Sequence, residues 1–270
     1  MATVLGKKKD VKKYGQKAEA LKKAINDNFW VEEDGYYASY LYGRQNLTRT
    51  QQSETLGESF CVLFGIADEE RAAKVISSMH VGEFGPPIFS PQIVSQPDYH
   101  NNGVWPYVTS FWGKAAAKVG NETALMHALA CNVRTASIYA TNYENYSFNT
   151  GNPYTTQINS PNMLCGLSGF MGLFRRTFFG LEFTKEGLAL KPFVPTVLAG
   201  TRKLEAFPYR GMKLDITVSG SGNEIASCLV DGKEAEAFIP ADWTGNHSIE
   251  IVMKGEHKPS SVNMVGYIGM

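Results

Sequence analysis

A chain of 270 residues, 43% hydrophobic and 19% charged, has the makeup of a globular protein long enough for two domains or one large one. Its 26 lysines and arginines balance 26 aspartates and glutamates, so it lacks the basic footprint that a phosphate backbone demands, which excludes nucleic acid as an expected partner. The longest apolar-rich run, Met163 to Phe174, is too short to span a bilayer, and the basic start "MATVLGKKKDVKKYGQ" lacks the apolar stretch of a secretory signal. The expectation is a soluble chain with no membrane partner, its compartment unknown between cytoplasm and periplasm.

From about Lys8 to Phe29, Val11, Tyr14, Ala18, Leu21 and Ile25 recur at three and four, which predicts an amphipathic helix with lysines on its outer face. "WVEEDGYYASYLYG" reads as a loop or short hairpin around Asp34-Gly35. Ser53 then resembles an N-cap for "ETLGESFCVLFGI", and Asp68 one for "EERAAKVISSM", giving a helical hairpin. His80 to Gly103 holds four prolines and three glycines, which forbids a helix, yet it is too apolar for a disordered linker; long ordered loops are usually functional. "VWPYVTSFWGKAAAKV" and "ETALMHALACNVRTASIYA" predict a second helical hairpin. "SPNMLCGLSGFMGLFRRTFFG" predicts a sixth helix, hydrophobic on most sides and so expected to be buried on most sides.

After Gly180 the texture changes to period-two alternation, as in Lys213, Asp215 and Thr217 against Leu214, Ile216 and Val218. Asp231-Gly232 is a hairpin-turn signal. The expected organisation is a helical domain over residues 1–180 and a β domain over 181–270. Cys61, Cys131, Cys165 and Cys228 lie far apart and form no CxxC or Cys/His cluster, so neither zinc nor a disulfide framework is expected. No cofactor is implied.

Two loops could carry chemistry. "PDYHNNGVWPY" places His100, Asn101, Asn102, Trp105 and Tyr107 at the entrance of a helix, with Pro106 in its first turn. A tryptophan face beside amides suits a sugar ring, whose C–H faces are apolar and whose hydroxyls need donors and acceptors; the plainer reading is core aromatics and a loop cap. "TNYENYSFNTGNPY", Thr141 to Tyr154, sets one carboxylate, Glu144, among tyrosines and asparagines. A general base for water needs an ionised carboxylate flanked by groups that position the attacked ring, although a solvated loop glutamate would also fit. Gly151 would permit a close backbone approach. Glu54 and Glu58 read as first-turn partners of a helix dipole or capping groups, though Glu54 could line a site. Asp98 could be a second carboxylate, and His127 reads as structural.

Together, "YHNNGVWPY", "YENYSFNTGNP" and "GLSGFMGLFRRTFFGLEF" leading into "LALKPFVP" resemble the carboxy-terminal half of the (α/α)6-barrel, or six-hairpin, glycosidases. The resemblance is strongest to the glycoside hydrolase family 63, mannosylglycerate hydrolase and glycogen-debranching group, and it covers most of Phe29 to Pro195. It implies a mainly α protein, a partial α/α toroid of about six helices followed by a small antiparallel β-sandwich. It further implies inverting hydrolysis of an α-linked glycoside, with Glu144 as general base and Tyr146, Thr150 and Gly151 completing its motif. His100, Asn101, Trp105 and Tyr146 would bind the sugar, with Glu54 and Asp98 beside them. The segment after the base departs from that group: "INSPNML" stands where an aromatic-serine pair opens the last helix, and no segment matches the aspartate acid of the earlier half-ring. A half-ring leaves apolar flanks, which implies homodimerisation or a separate amino-terminal half as partner. The competing expectation is a non-catalytic carbohydrate-binding domain that needs such a half for activity.

Overall fold

The computed structural model describes residues 1–93 and 95–266. Helix α1 (Lys8–Asn28) leads into the hairpin β1 (Trp30–Val31) and β2 (Tyr36–Tyr37), then the small ribbon β3 (Leu41–Tyr42) and β4 (Thr48–Arg49). Next come β5 (Ser53–Glu54), α2 (Thr55–Leu63) and α3 (Glu69–Ser78). The long proline-rich segment is punctuated by β6 (His80–Val81), β7 (Phe89–Ser90) and β8 (Gly103–Val104). After it follow α4 (Pro106–Lys118), α5 (Glu122–Tyr139), β9 (Tyr146–Ser147) and α6 (Leu164–Phe178). The six helices are those the periodicity predicts.

Helix α4 packs against α2 on one side and α6 on the other. Small residues allow the second contact: a Cβ on Gly169 would stand 3.3 Å from both Ser110 and the Tyr107 backbone. Behind α4, Trp112, Ala115 and Ala116 are fully buried, and α5 lies against this face, where a Cβ on Gly113 would come within 2.8 Å of Ala128. Caps explain where the helices start. Asp68 accepts from the Arg71 amide and Asn121 from the Ala124 amide, each satisfying an otherwise orphaned N–H. For α2 the cap is Glu54 and not Ser53: the longer carboxylate reaches two amides, while Ser53 is held in β5 and donates to the Ser90 carbonyl.

Two apolar faces lack the cover that periodicity implies. No residue of α1 is buried, and Val11, Tyr14 and Leu21 are exposed, because only its last turn is tied down, by Asn26 to the Ile66 carbonyl and to the Tyr37 hydroxyl. In α6 the residues Leu164, Leu167, Met171 and Phe174 recur on one face and are 37–78% exposed. This corrects the expectation of a last helix buried on most sides: only Gly166, Gly169, Leu173, Thr177 and Phe178 are buried, and no other element among the described residues covers the opposite stripe.

The remaining strands are β10 (Leu181–Phe183), β11 (Gly187–Leu190), β12 (Gly200–Tyr209), β13 (Met212–Gly220), β14 (Ile225–Val230), β15 (Lys233–Glu234), β16 (Phe238–Pro240), β17 (Gly245–Met253) and β18 (Asn263–Met264). One sheet has the order β10-β11-β16, the other β12-β13-β17-β14-β15. Asp231-Gly232 makes the tight turn between β14 and β15, both residues at positive φ (50° and 74°), as a two-residue hairpin loop requires. The larger sheet is mixed, not antiparallel as expected: β13 and β17 run parallel, Leu214 opposite His247 and Ile216 opposite Ile249. The residues between them form β14, β15 and β16, the long connection a parallel pair needs. Leu188, Leu190 and Ile239 of the small sheet share one apolar cluster with Leu214, Ile216, Ile249 and Ile251 of the large one and with Leu173 and Phe178 of α6.

Past β17 the chain returns to the helices. Asn121 donates to the Ser261 carbonyl at 2.9 Å, Thr123 to the Ser260 carbonyl at 3.0 Å, and β18 pairs in parallel with β6.

Glu58, one turn into α2, is 2% exposed. Its Oε1 accepts from the Tyr37 amide at 2.6 Å, its Oε2 has no partner among the described residues, and burial pushes its pKa well above the usual carboxylate range. A carboxyl whose pKa is raised by folding contributes most below the ordinary carboxylate range, and that contribution is lost as pH climbs through the raised value. Glu58→Gln keeps an acceptor for Tyr37 and removes the buried charge. The variant should therefore gain thermal stability relative to the parent at about pH 8, with the gap closing toward about pH 4. Melting curves at both pH values check this; an equal loss at both would mean that the carboxyl acts through its bonds and not its charge.

Candidate active site

Helices α2, α4 and α6 all begin beside one group of loops. The segment between α3 and α4 bridges them: β7 pairs with β5 just before α2, and the Ile88 carbonyl accepts the first amide of that helix, Thr55. On the other side β8 pairs with β9, Gly103 opposite Ser147 and Val104 opposite Tyr146, and the Asn102 carbonyl accepts from the Phe148 amide. The two loops singled out in the sequence are thus joined by a backbone ladder.

Gly103 is needed for this geometry. A Cβ there would lie 1.8 Å from the Tyr99 carbonyl oxygen, which also accepts the Trp105 indole N–H at 3.0 Å. The loop from Tyr99 to Trp105 therefore closes on itself and stacks its rings: Tyr99 lies 4.6 Å from His100 and 5.1 Å from Trp105, and His100 stacks on Trp105 at 5.2 Å. Trp105 is the N-cap residue of α4 with Pro106 following, half-buried, while His100 is exposed.

Glu144 is held by its backbone and free at its head. Its amide donates to the Ser160 carbonyl at 3.0 Å, and no described residue hydrogen-bonds its carboxylate. The Tyr99 hydroxyl is pushed up in pKa by burial and, after it, by the charge of Glu144, so the field of that carboxylate reaches the Tyr99 end of the ring cluster. The neighbouring loop is cross-linked by side-chain amides. Asn145 is fully buried and donates to the Ile158 carbonyl at 3.0 Å, and Asn159 donates to the carbonyls of Asn145 at 2.7 Å and Pro153 at 2.8 Å.

The other residues named from sequence are engaged elsewhere. Asp98 accepts from Asn102 at 2.9 Å on Oδ1 and from the Ser147 hydroxyl at 2.7 Å on Oδ2, a latch between the two loops. Glu54 accepts the Leu56 amide at 3.1 Å and the Gly57 amide at 2.6 Å; burial raises its pKa, offset in part by those amides and by His100 nearby. Neither carboxyl has an oxygen without a partner, as a proton donor to a glycosidic oxygen needs. Asn101, expected at the sugar, is buried and braces the preceding loop, bonding both the N–H and the carbonyl of Ile93. Tyr146, also expected there, has no exposed surface; it stacks on Tyr139 at 5.7 Å, and its hydroxyl accepts from the Tyr143 amide. At Gly151 the close approach is that of the Phe84 ring, 2.4 Å from where a Cβ would stand. His127 is structural, its Nε2 bonded to the Gly82 carbonyl at 2.8 Å. Sequence reasoning missed Tyr99, which adjoins His100, and Asn159, which stands at the very position that departs from the glycosidase pattern.

Residues 1–168, which carry both of these loops and all three of these helix starts, match the family model described as a mannosylglycerate hydrolase MGH1-like glycoside hydrolase domain. The chain belongs to that family. Among solved structures it is similar to the family GH92 alpha-mannosidase from Bacteroides thetaiotaomicron at 12% identity and a TM-score of 0.35, over 94% of this chain. The chain spans 33% of that structure's length. A comparison with curated proteins finds no match. No helix among the described residues is long and apolar enough to cross a membrane.

Proposed function

We propose that this chain supplies the water-activating side of an inverting glycosidase acting on an α-linked glycoside. Glu144 is the general base, and the exposed His100 and the Trp105 face receive the sugar ring. The observation that carries the reading is the Glu144 carboxylate, which no described residue hydrogen-bonds and whose charge acts on Tyr99, a ring packed with His100 and Trp105. Asn101, Asn159, Tyr146 and Asp98 then act by holding the loops and not by touching the sugar. The domain division at residue 180 fits this reading, with the base carried wholly by the first part.

A second reading is favoured by a specific observation: Glu54 and Asp98 both have their oxygens engaged, so no acid faces Glu144 among the residues singled out. An inverting pair needs a second carboxyl about 6.5–9.5 Å away. On this reading the chain binds sugar, and a separate half or a second copy, docked on the bare stripe of α6, brings the acid. The two readings part in one experiment, in which mannosylglycerate and an aryl α-mannoside are incubated with the purified chain and followed by proton NMR. Turnover with an inverted first product supports the first reading, binding without turnover supports the second, and neither binding nor turnover rejects both.

A further inference from the structure

A cavity of about 560 Å³ lies away from the Glu144 site, between the β1–β2 turn, the carboxy-terminal end of α3 and the β5–β7 ladder. None of Glu54, Asp98, His100, Trp105 or Glu144 lines it. We propose that this cavity is a binding site for a small, neutral polyhydroxy compound, a monosaccharide or a polyol, recognised from its inner wall by Glu58, His80 and Tyr36.

The volume falls within the range of small-molecule sites. Its wall mixes two chemistries. Val75, Met79 and Pro91 give an apolar strip that suits the C–H face of a ring or polyol chain. The polar groups opposite are short of partners. Glu58 is buried with Oε2 unbonded among the described residues, an unfavourable state unless a hydroxyl partner fills it. His80 uses Nδ1 on the Ser90 hydroxyl at 2.7 Å, which fixes the ring and leaves Nε2 unbonded among the described residues. Tyr36 lines the same cavity as Glu58 and His80, and burial, then the charges of Asp34 and Glu58, raise the pKa of its hydroxyl. A hydroxyl both donates and accepts, and can satisfy each of these groups in turn.

The charge decides the class further. Glu33 and Asp34 stand exposed at the opening, and no lysine or arginine is among the lining residues, so an anion meets repulsion with no counter-charge. A neutral ligand meets neither. This site stands independently of the glycosidase reading, because it shares no residue with the Glu144 cluster.

The test uses nitrogen-15-labelled full chain titrated with glycerol, D-mannose and myo-inositol, and with D-glucuronate as the anionic control. At least one neutral compound should shift the amide signals of Tyr37, His80 and Ser90 saturably, and glucuronate should bind at least about tenfold more weakly, a difference worth about 1.4 kcal/mol. Gln51→Trp and, separately, Glu33→Trp fill the opening from exposed positions and should abolish those shifts. Glu144→Gln should leave them unchanged, whatever it does to hydrolysis. The proposal is overturned if no neutral compound moves these amides, which would mean a cavity that holds water only. It is equally overturned if the shifts survive both tryptophan variants, if glucuronate binds as well, or if Glu144→Gln removes them.

Discussion

Glu144→Gln is expected to lower the rate of glycoside hydrolysis by about 10²–10⁴-fold, the usual worth of a positioned general base, with KM changed little. The amide is nearly the shape of the carboxylate, so the space it occupies is kept while the capacity to take a proton from water is lost. Stability should hardly move, within about 0.5 kcal/mol, because no described residue hydrogen-bonds the carboxylate and the anchor to Ser160 is made by the backbone. Steady-state kinetics and a melting curve on the same sample check both halves. If hydrolysis runs at the parental rate, Glu144 is not the base. If the rate falls only together with the melting temperature, the residue is structural.

Gly103→Ala should have the opposite signature, a loss of folding before any question of catalysis. Its new Cβ would sit 1.8 Å from the Tyr99 oxygen and 2.8 Å from the Tyr99 carbonyl carbon, and both neighbours are backbone. Nor can Gly103 retreat: it is paired with Ser147, and its own carbonyl accepts the Ile88 amide at 2.9 Å. Relief therefore means opening the ladder or the Tyr99–Trp105 turn, at a cost of about 3 kcal/mol, or roughly 6–12 °C in melting temperature for a chain of this size. Gly15→Ala makes a clean control, since nothing lies within 4 Å of its Cβ in helix α1, and a helical alanine should stabilise by about 1 kcal/mol. Should Gly103→Ala melt like the parent, the turn is softer than its geometry implies.

Much of this architecture is written locally and could be read from the chain. The six helices follow from apolar spacing, the start of α3 from Asp68, and the β14–β15 turn from Asp231-Gly232. What could not be read depends on which neighbour arrives. The apolar stripe of α6 looks like a buried face in sequence, because periodicity reports that a face is apolar and not whether anything lies against it. Asn101 and Tyr146 have the right chemistry for a sugar; only the fold reveals that the amide is used up on Ile93 and that the phenol has no surface. Ser53 was the better cap by residue type, but Glu54 has the reach. Glu58 did leave a signal: it stands three and four residues before the buried Cys61 and Val62, which puts a carboxylate on the inward face of α2.

The pairing of β18 with β6, and the bonds from Ser260 and Ser261 to the start of α5, bear on how the protein is made. On a ribosome delivering about 5–20 residues per second, the start of α5 is synthesised 137–140 residues before its partners Ser260 and Ser261, an interval of roughly 7–28 seconds. During that interval the helical hairpins must stand without their strap, with apolar surface open to chaperones and to neighbouring nascent chains. A synonymous-codon change that slows elongation across Gly245 to Ser261 should therefore lower the yield of folded protein without altering a single amino acid.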